Sequence, residues 1–597
     1  MTKKLIKGYV FAFRESKSAG MWVLVLSFVA VLVSGAVPIV TSYILKNVVA
    51  ILEIALKNKG YLSYSHLLLF ISGYAAFTVF YGALRSVNMV ANRILGMYLA
   101  QSIKEKIVKK IENVSHKIFY NPEFQNEYTS ILTGSQSEPL RLMSSTFYLA
   151  INIIQIAGIF LVLFKHDYLP LVVLCVFLLL NMFIQFKVQS EYVNVWSLQS
   201  KSMRKLSYFF DKMTKNETLK EMQIFNLYGY FIKNMQDAFK ENILVWKKFG
   251  RTEVAQNITG QLFACVGLVI AIFYLVISSV NKNCSLADCV FYINLMLNLQ
   301  NICDGMVREL ADGYRSILFI DRLLNFLNVD CAVKGGQLIP KDKTVHTLVF
   351  CNVSFKYPGN ENYALRNINF EITSGEKACL VGCNGCGKTT VINLILRIYD
   401  PTEGTILLDG VDIKNYSVKE YRKIITPIFQ DFQKYAIPIK NYIAFSNIEN
   451  FDNYERMNNA VAITGASDFI DKATNRFDAN LTKLFDWLGL ELSLGEWQRL
   501  AISRVFFSDA SLLIFDEPTS SLDVEVEAKI YNQIQKLGKD KIVIFVSHRL
   551  YAVEDSSKII YLEKGNILGV GKHDELIHSC VGYRNLYEKQ VINCTSV

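Results

Sequence analysis

Charged side chains are scarce in this sequence of 597 residues, since Asp, Glu, Lys and Arg together make up 19% of it and hydrophobic residues make up 51%. Soluble globular chains usually carry about 25% charged residues. The scarcity excludes disorder over most of the length and also an ordinary, wholly soluble enzyme. Cysteine is sparse as well, because 12 residues spread over the chain are too dilute for a disulfide scaffold. We therefore expect a membrane protein with a soluble part.

Long uncharged apolar stretches fill the chain up to about residue 330. A helix that crosses a bilayer needs about 20 apolar residues, and six stretches satisfy this length. The sixth is the weakest, because Asp304 and Arg308 interrupt it. The predicted spans are 18–45, 60–84, 141–165, 168–186, 254–281 and a sixth from about residue 287.

Basic residues are concentrated on one side of these spans. They cluster in the N-terminal segment, from Lys3 to Lys17, and in the segment 91–144, whereas the opposite loops contain few of them. Because cytoplasmic loops carry the excess of Lys and Arg, we expect both termini to lie in the cytoplasm of a multi-pass protein of the cell membrane. The same asymmetry explains the net charge of +10, and nucleic acid is not expected as a partner.

Two connections on the basic side, 86–144 and 187–253, are long enough for paired helices that reach beyond the bilayer. Each contains a break, Asn-Pro-Glu at 121–123 and Lys-Asn-Glu-Thr at 215–218. This pattern predicts that the paired helices transmit motion between the spans and a soluble domain. Two solvated hairpins without a coupling role are the alternative.

The composition changes near residue 330, where short apolar runs begin to alternate with helical patterns and turns. Such alternation is typical of an α/β domain. The predicted organisation is a transmembrane domain at 1–330, a linker with Gly-Gly and Pro at 331–345, and a soluble domain at 346–597.

A phosphate-binding loop follows the first strong strand of the soluble domain. The strand KACLVG leads into GCNGCGKTT at 382–390 and then into a helix, which is the context that the GxxxxGK[ST] motif requires. Glycines let the backbone close around phosphate, and amides at the helix N-terminus point at the anion. We expect Lys388 to reach the β- and γ-phosphates and Thr389 to ligate Mg²⁺. The predicted nucleotide-binding residues of the loop are Gly382, Cys383, Asn384, Gly385, Cys386, Gly387, Lys388, Thr389 and Thr390.

Cys383 and Cys386 form a Cys-x-x-Cys pair inside this loop. A metal or redox site is one interpretation, but small residues at variable loop positions are favoured, since no second pair lies nearby. Their place at a helix N-terminus near Lys388 should lower the pKa of both thiols. We therefore expect thiol alkylation to inhibit any reaction of the nucleotide bound at this loop.

A second strand, LLIFDEP at 512–518, presents two carboxylates at its C-terminal edge, where ligands collect in such sheets. Asp516 suits Mg²⁺, and Glu517 suits the role of general base for an attacking water. A solvated strand end is the alternative for an isolated pair, and the phosphate loop upstream disfavours it.

Five further motifs follow along the chain: SFKYPG at 354–359, IFQDF at 428–432, LSLGEWQRLAISR at 492–504, SSLD at 520–523 and IVIFVSHR at 542–549. In this order they resemble the A-loop, Q-loop, signature helix, D-loop and switch of ABC ATPases, and the chain resembles that family. With six preceding spans, the whole chain resembles an exporter-type half-transporter. The fold class that this implies is an all-α transmembrane domain of six helices followed by an α/β P-loop NTPase domain.

The resemblance implies an ATPase that uses ATP and Mg²⁺. Its catalytic residues would be Glu517 as general base, His548 on the γ-phosphate and Gln430 near Mg²⁺ or water. The implied Mg²⁺ site comprises Thr389, Gln430 and Asp516. Tyr357 would stack on adenine, with a buried core aromatic as the alternative.

The resemblance also implies a dimer, because the signature residues Ser493 and Gly495 would bind the γ-phosphate that the partner's loop holds. Asp523, in the D-loop, would belong to the same nucleotide site. The usual LSGGQ is LSLGE here, with Leu494 and Glu496 in place of Gly and Gln, and this departure weakens the expected phosphate binding. A homodimer is favoured, and a heterodimer with a second half-transporter stays open.

The expected function is ATP-driven export of an amphiphilic substrate, such as a peptide, a lipid or a drug. Polar stripes at helical spacing are predicted to line the pathway, with polar packing between helices as the alternative. Their amides and arginines, with Asp304 beside them, favour a peptide, lipid or anionic amphiphile over a strictly cationic drug. An ATP-gated channel, a regulatory protein and an importer are alternative functions. The stripes are Asn294, Asn298, Asn301, Gly305 and Arg308 in the sixth span, and Arg85, Asn88 and Asn92 in the second.

Overall fold

The computed structural model divides the chain into two compact units. One comprises Met1–Glu112 and Asn126–Val329, and the other comprises Asn113–Gln125 and Asp330–Val597. The predicted domain limits of 1–330, 331–345 and 346–597 stay a prediction. The structure describes residues 2–17, 21–57, 64–112, 114, 118–119, 121–166, 168–281, 285–328, 335–340, 344–518, 522–538, 540–546 and 553–595.

The first unit is helical. The described α-helices up to residue 328 are α1 (Thr2–Ser16), α2 (Met21–Lys57), α3 (Tyr64–Glu112), α4 (Pro122–Gly134), α5 (Glu138–His166), α6 (Tyr168–Thr214), α7 (Asn216–Ile224), α8 (Tyr228–Asn281) and α9 (Leu286–Asn328). The division between the units falls inside α4, after Gln125. Within the described residues, α2, α3, α5, α6 and α8 are long and apolar enough to cross a membrane. The weakest predicted span falls on α9, which has 43 residues but lower apolarity. Its buried Phe291, Leu295 and Leu299 join the core formed with α5, α6 and α8.

Several of these helices are longer than a bilayer is thick. Helices α3, α6 and α8 have 49, 47 and 54 residues, which is about 70 to 80 Å at 1.5 Å per residue, whereas the hydrocarbon core is about 30 Å thick. Helix α6 ends at Thr214 and α7 begins at Asn216, within the predicted break at 215–218. Helix α4 begins at Pro122, a residue suited to the first helical position.

Helices α6 and α8 approach each other closely where α8 carries glycine. A Cβ atom at Gly267 would lie 2.3 Å from Phe177 Cβ, and one at Gly260 would lie 2.5 Å from Asn181 Oδ1. Small residues permit such close packing between membrane helices. The pairing of these two helices therefore depends on both glycines.

The second unit is an α/β domain. Its strands are β1 (Thr347–Phe355), β2 (Leu365–Thr373), β3 (Lys377–Val381), β4 (Glu403–Leu408), β5 (Val411–Asp412), β6 (Ile425–Ile428), β7 (Leu512–Asp516), β8 (Ile542–Val546), β9 (Lys558–Glu563) and β10 (Asn566–Gly571). Its described α-helices are α10 (Lys388–Ile395), α11 (Val418–Lys423), α12 (Ile439–Ala444), α13 (Tyr454–Thr464), α14 (Ser467–Ile470), α15 (Leu494–Phe507), α16 (Val524–Gln535), α17 (His573–Ser579) and α18 (Val581–Thr595). Short 3₁₀ helices span Ile413–Asn415, Ile448–Asn450 and Arg476–Asp478.

The strands form two sheets. The larger has the order β10-β9-β3-β8-β7-β6, in which β9, β3, β8, β7 and β6 run parallel, and the smaller, β2-β1-β4-β5, is antiparallel. Strands β7 and β8 are buried at every position, as expected for parallel strands covered on both faces. The carboxyl ends of β3, β7 and β8 meet at one edge of the sheet, so the segments that follow them are brought together.

Candidate functional site

The phosphate loop joins β3 to α10 and requires glycine at two positions. Gly382 has a φ of 157°, and a Cβ atom there would lie 2.2 Å from the carbonyl oxygen of Leu562. Gly387 precedes α10 with a φ of 114°, and its Cβ would lie 2.6 Å from Leu365 Cδ2. Positive φ values and close neighbours both favour glycine. The loop can therefore wrap a phosphate only with glycine at these places.

Lys388 lies beneath this loop and is 7% exposed. Its Nζ donates hydrogen bonds to the carbonyl oxygens of Gly382, at 2.7 Å, and Cys383, at 3.2 Å. A buried ammonium group is costly without such partners. The loop carbonyls therefore keep the cation at the point where this motif binds phosphate.

Asp516 ends β7 at the same sheet edge, and Glu517 follows it directly. Burial raises the pKa of Asp516 to about 6, the negative charge of Glu517 adds to this, and Lys388 opposes it. Glu517 has a φ of 46°, an uncommon conformation for a residue with a side chain, and its N–H donates to the carbonyl oxygen of Val546 at 3.0 Å. Backbone strain of this kind is typical of functional sites.

One pocket of about 550 Å³ unites most of the predicted residues. Its oxygen donors include the Asp516 carboxylate, the Thr389 hydroxyl and the Gln430 amide, a set that suits Mg²⁺. The chemistry of the residues present therefore fits the predicted metal. The predicted residues that line the pocket are Tyr357, Asn384, Gly385, Gly387, Lys388, Thr389, Thr390, Gln430, Asp516 and Glu517.

The Tyr357 side chain is fixed beside the phosphate loop. Its hydroxyl lies 2.9 Å from Thr390 Oγ1, and its ring packs edge-on against Phe355 and Tyr399, with centroids 5.0 and 5.5 Å away. Part of the ring packs on the core and part lines the pocket. Both the stacking role and the core role are compatible with this place, and adenine stacking stays a prediction.

The signature residues Ser493 and Gly495 are not among the residues that line this pocket. Ser493 is the N-cap of α15, and its Oγ accepts from the Glu496 N–H at 3.3 Å. The Glu496 carboxylate accepts in return from the Ser493 N–H and hydroxyl, each at 2.8 Å. The bond from the Ser493 N–H lowers the pKa of Glu496 below its ordinary value, so a negative charge stands beside Ser493.

This reciprocal cap was not predicted from the sequence. The signal was present, because Ser followed three residues later by Glu is the spacing of a capping box. Two pocket residues were also missed, Ala364 and Val546. Val546 ends β8 inside the switch motif at 542–549, and this position was the available signal, whereas nothing in the sequence marked Ala364.

The D-loop and switch residues are the last two of the predicted site. Asp523 is the N-cap residue of α16, without a side-chain capping bond, and is not among the pocket-lining residues. His548 lies outside the described residues, so its predicted contact with the γ-phosphate stays a prediction.

The two loop cysteines differ in their surroundings. Cys383 is exposed and Cys386 is 4% exposed. Burial raises the pKa of Cys386, and Lys388 only partly opposes this. The expectation of a lowered pKa at both thiols is therefore wrong for Cys386, because desolvation of the thiolate outweighs the nearby positive charge.

Lys388→Ala should raise the Kd for ATP by about tenfold or more, because the phosphates lose their buried cation. Fluorescence titration with a labelled ATP analogue measures this Kd. Lys377→Ala is the matched control, since Lys377 lies at the other end of β3 and donates to the Gln535 carbonyl. An unchanged Kd in Lys388→Ala would contradict the assignment.

Alkylation should inhibit ATP hydrolysis through Cys383, the exposed thiol, and bound ATP should protect it. Mass spectrometry after limited treatment with N-ethylmaleimide locates the label, and ATPase assays measure the loss. Cys383→Ala should be resistant, whereas Cys386→Ala should stay sensitive. Protein that is labelled at Cys383 and still hydrolyses ATP at the unmodified rate would refute this expectation.

Comparison with known proteins agrees with this geometry. Residues 365–520 match the family described as ABC transporter. The chain is 28% identical over 560 residues to the subtilin transport ATP-binding protein SpaT of Bacillus subtilis, covering 94% of this chain and 90% of the relative. It is 32% identical over 340 residues to the ATP-dependent lipid A-core flippase of Aliivibrio fischeri, covering 56% of this chain and 57% of the flippase.

The fold is shared with a solved structure of a bacterial Atm1-family ABC exporter with ATP bound. The TM-score is 0.82 at 19% sequence identity, over 96% of this chain and 98% of the other. The predicted fold class is thus confirmed. Residues 365–520 thus form the ABC transporter ATPase domain, and the chain is homologous to ABC exporters, with an N-terminal membrane domain fused to this C-terminal ATPase domain.

Proposed function

We propose that this protein exports a peptide across the cell membrane at the expense of ATP, and that two copies of the chain together form each ATP site. The observation that supports the shared ATP site is that its predicted residues lie in two separate places of one copy. One pocket collects the phosphate loop, Gln430, Asp516 and Glu517, whereas Ser493 and Gly495 lie outside its lining. Because a helix N-terminus suits an anion, the start of α15 in one copy is suited to complete the pocket of the other.

The residues of each copy then have separate roles. Lys388 exchanges its bonds with the loop carbonyls for bonds with the phosphates. Glu517 accepts the proton of the attacking water, and His548 contacts the γ-phosphate. Thr389, Gln430 and Asp516 would hold Mg²⁺, which when bound neutralises negative charge on the phosphate oxygens.

ATP that contacts both copies binds the closed arrangement better than the open one, so it shifts the equilibrium towards closure. Hydrolysis removes this preference and reopens the dimer. The long helices α3, α6 and α8 are proposed to carry the movement to the spans. The basic N-terminal segment and the basic segment 91–144 support a cytoplasmic location for both termini and the ATPase domain.

A peptide is the favoured substrate and a lipid the second candidate. SpaT, named for subtilin transport, matches over 94% of this chain, whereas the lipid A-core flippase matches over 56%. A homodimer is favoured, and the altered signature residues Leu494 and Glu496 keep a heterodimer as the alternative. An ATP-gated channel would need little turnover, and an importer on the same scaffold would move substrate in the opposite direction.

Glu517→Gln should leave ATP binding intact, slow hydrolysis by orders of magnitude and accumulate closed dimer, because the general base is lost. The rate of ATP turnover, the amount of bound ATP and the sedimentation of the dimer measure these effects.

In proteoliposomes with the ATPase domain outside, wild-type protein should accumulate a dye-labelled amphipathic peptide when ATP is added, and the Glu517→Gln variant should not.

Near-normal turnover in Glu517→Gln would remove Glu517 as the base. Peptide uptake that persists without hydrolysis would favour a channel, and uptake of a labelled lipid instead of the peptide would favour the second substrate. With the ATPase domain outside, the vesicle exterior corresponds to the cytoplasm. ATP-driven release of peptide from the lumen of these vesicles would therefore indicate an importer.

Glu496→Gln should lower the KM for ATP by about threefold, the size expected from removing one exposed repulsive charge. Gln keeps an oxygen acceptor for the Ser493 N–H, so the cap of α15 is retained while its negative charge next to the γ-phosphate is removed. ATPase kinetics at low and high salt measure the change. Glu491→Gln, which alters a carboxylate outside the cap, is the control, and an unchanged KM in Glu496→Gln would refute electrostatic weakening.

A further inference from the structure

Three amide side chains converge on one carboxylate in the helical unit. Asn181 Nδ2 donates to Asp304 Oδ1 at 2.8 Å, and Gln185 Nε2 donates to the same oxygen at 3.3 Å. Gln261 Nε2 donates to Asp304 Oδ2 at 3.2 Å. Helices α6, α8 and α9 therefore meet at Asp304 through polar contacts within a largely apolar bundle.

The cluster is built into the packing of these helices. Asn181 is fully buried, and its Oδ1 accepts from Gln185 Nε2 at 3.4 Å. Gly260 of α8 makes room for it, since a Cβ atom there would lie 2.5 Å from Asn181 Oδ1. Asp304 is half-buried and Gln261 is exposed, so the carboxylate can be reached from outside the packed helices.

The charge of the cluster is not balanced within the described part of the chain. The three amides donate N–H groups to the Asp304 carboxylate, but they carry no charge. No ion pair joins Asp304 to any basic side chain that the structure describes, and Arg308, one turn further along α9, is exposed. A carboxylate accepts about four hydrogen bonds, so about one position is left for another donor.

Asn181 and Gln261 lie within the candidate membrane spans of α6 and α8, and α9 brings Asp304 to them. At 1.5 Å per residue, Asn181, Gln261 and Asp304 lie about 20, 30 and 27 Å from the helix ends at Tyr168, Asn281 and Leu286. The hydrocarbon core is about 30 Å thick, so the cluster is in the half nearer the basic, cytoplasmic side. A carboxylate held between apolar helices without a positive partner is costly, and such groups mark functional sites that bind an opposite charge.

We infer that Asp304, with Asn181, Gln185 and Gln261, binds a cationic nitrogen of the exported substrate. The inference rests on the proposed export function and adds the chemistry that the site recognises, a primary ammonium group. Such a group supplies both the missing positive charge and the missing donor. A lysine side chain of a peptide and the amine of a lipid headgroup share this chemistry.

Binding of a matched pair of peptides tests the inference. One is a dye-labelled amphipathic peptide with several lysines, and the other is the same peptide with every amine acetylated. Fluorescence anisotropy with the full-length protein in phosphatidylcholine nanodiscs, corrected for empty nanodiscs, gives both affinities. Wild-type protein should prefer the lysine peptide by about tenfold, the effect of one ion pair away from water.

Asp304→Asn should abolish this preference, and Asp304→Glu should restore part of it. Gln261→Ala should also reduce the preference. Because Gln261 is exposed, this variant keeps the test valid if Asp304→Asn fails to fold. Asp312→Asn removes an exposed carboxylate of α9 that lies outside the cluster, and it should bind like wild type. If wild type shows no preference, or if Asp304→Asn and Gln261→Ala both retain it, the inference is overturned.

Phosphatidylethanolamine in the nanodisc separates the two sources of the amine. Competition with the lysine peptide in wild type but not in Asp304→Asn assigns the site to a lipid headgroup, and absence of competition assigns it to the peptide. ATP-driven uptake is measured in proteoliposomes made from the same purified protein. If wild-type protein takes up peptide but shows no preference for the lysine peptide, this inference alone is refuted. If wild-type protein takes up no peptide, the proposed function is refuted.

Discussion

The parallel pairing of β3, β8 and β7 is the constraint on which the nucleotide site depends. Leu380 pairs with Val546, and Asp516 pairs with Val546 from the other side, so the carboxyl ends of the three strands share one level. The phosphate loop and the Asp516–Glu517 pair emerge there side by side. A shift of one residue in either pairing would turn the alternate side chains to the opposite face and separate them.

Both candidate sites contain a charge that neutral dipoles hold in place. Carbonyl oxygens of the phosphate loop hold the Lys388 ammonium, and amide N–H groups of three side chains hold the Asp304 carboxylate. Such dipoles lower the cost of burial without cancelling the charge. Each group therefore stays available for a ligand of opposite sign, phosphate at Lys388 and a cationic nitrogen at Asp304. Nucleotide and substrate chemistry are thus assigned to different units of the chain.

The nucleotide site was largely predictable from the sequence, because its residues lie in short motifs whose local structure is fixed. Glycine at 382 and 387, Lys388 and the carboxylates after β7 could be placed from strand and loop patterns alone. The rise in the pKa of Cys386 could not, since it depends on burial rather than on neighbours in the chain. The Asp304 cluster could not be predicted either, because Asn181 and Gln261 are brought to it by packing between helices distant in sequence. The sequence placed Asp304 only beside a polar stripe.

The central claim is that each ATP is bound between two copies of the chain, and co-purified mixed dimers test it most directly. One copy carries Lys388→Ala, the other carries a bulky Ser493→Trp change, and ATP that resists washing is counted. Dimers of either variant alone should trap none, since every shared site is damaged. The mixed dimer should trap one ATP, because it joins an intact phosphate loop to an intact signature helix. Mixed dimers that trap no more ATP than the Lys388→Ala dimer would contradict the account.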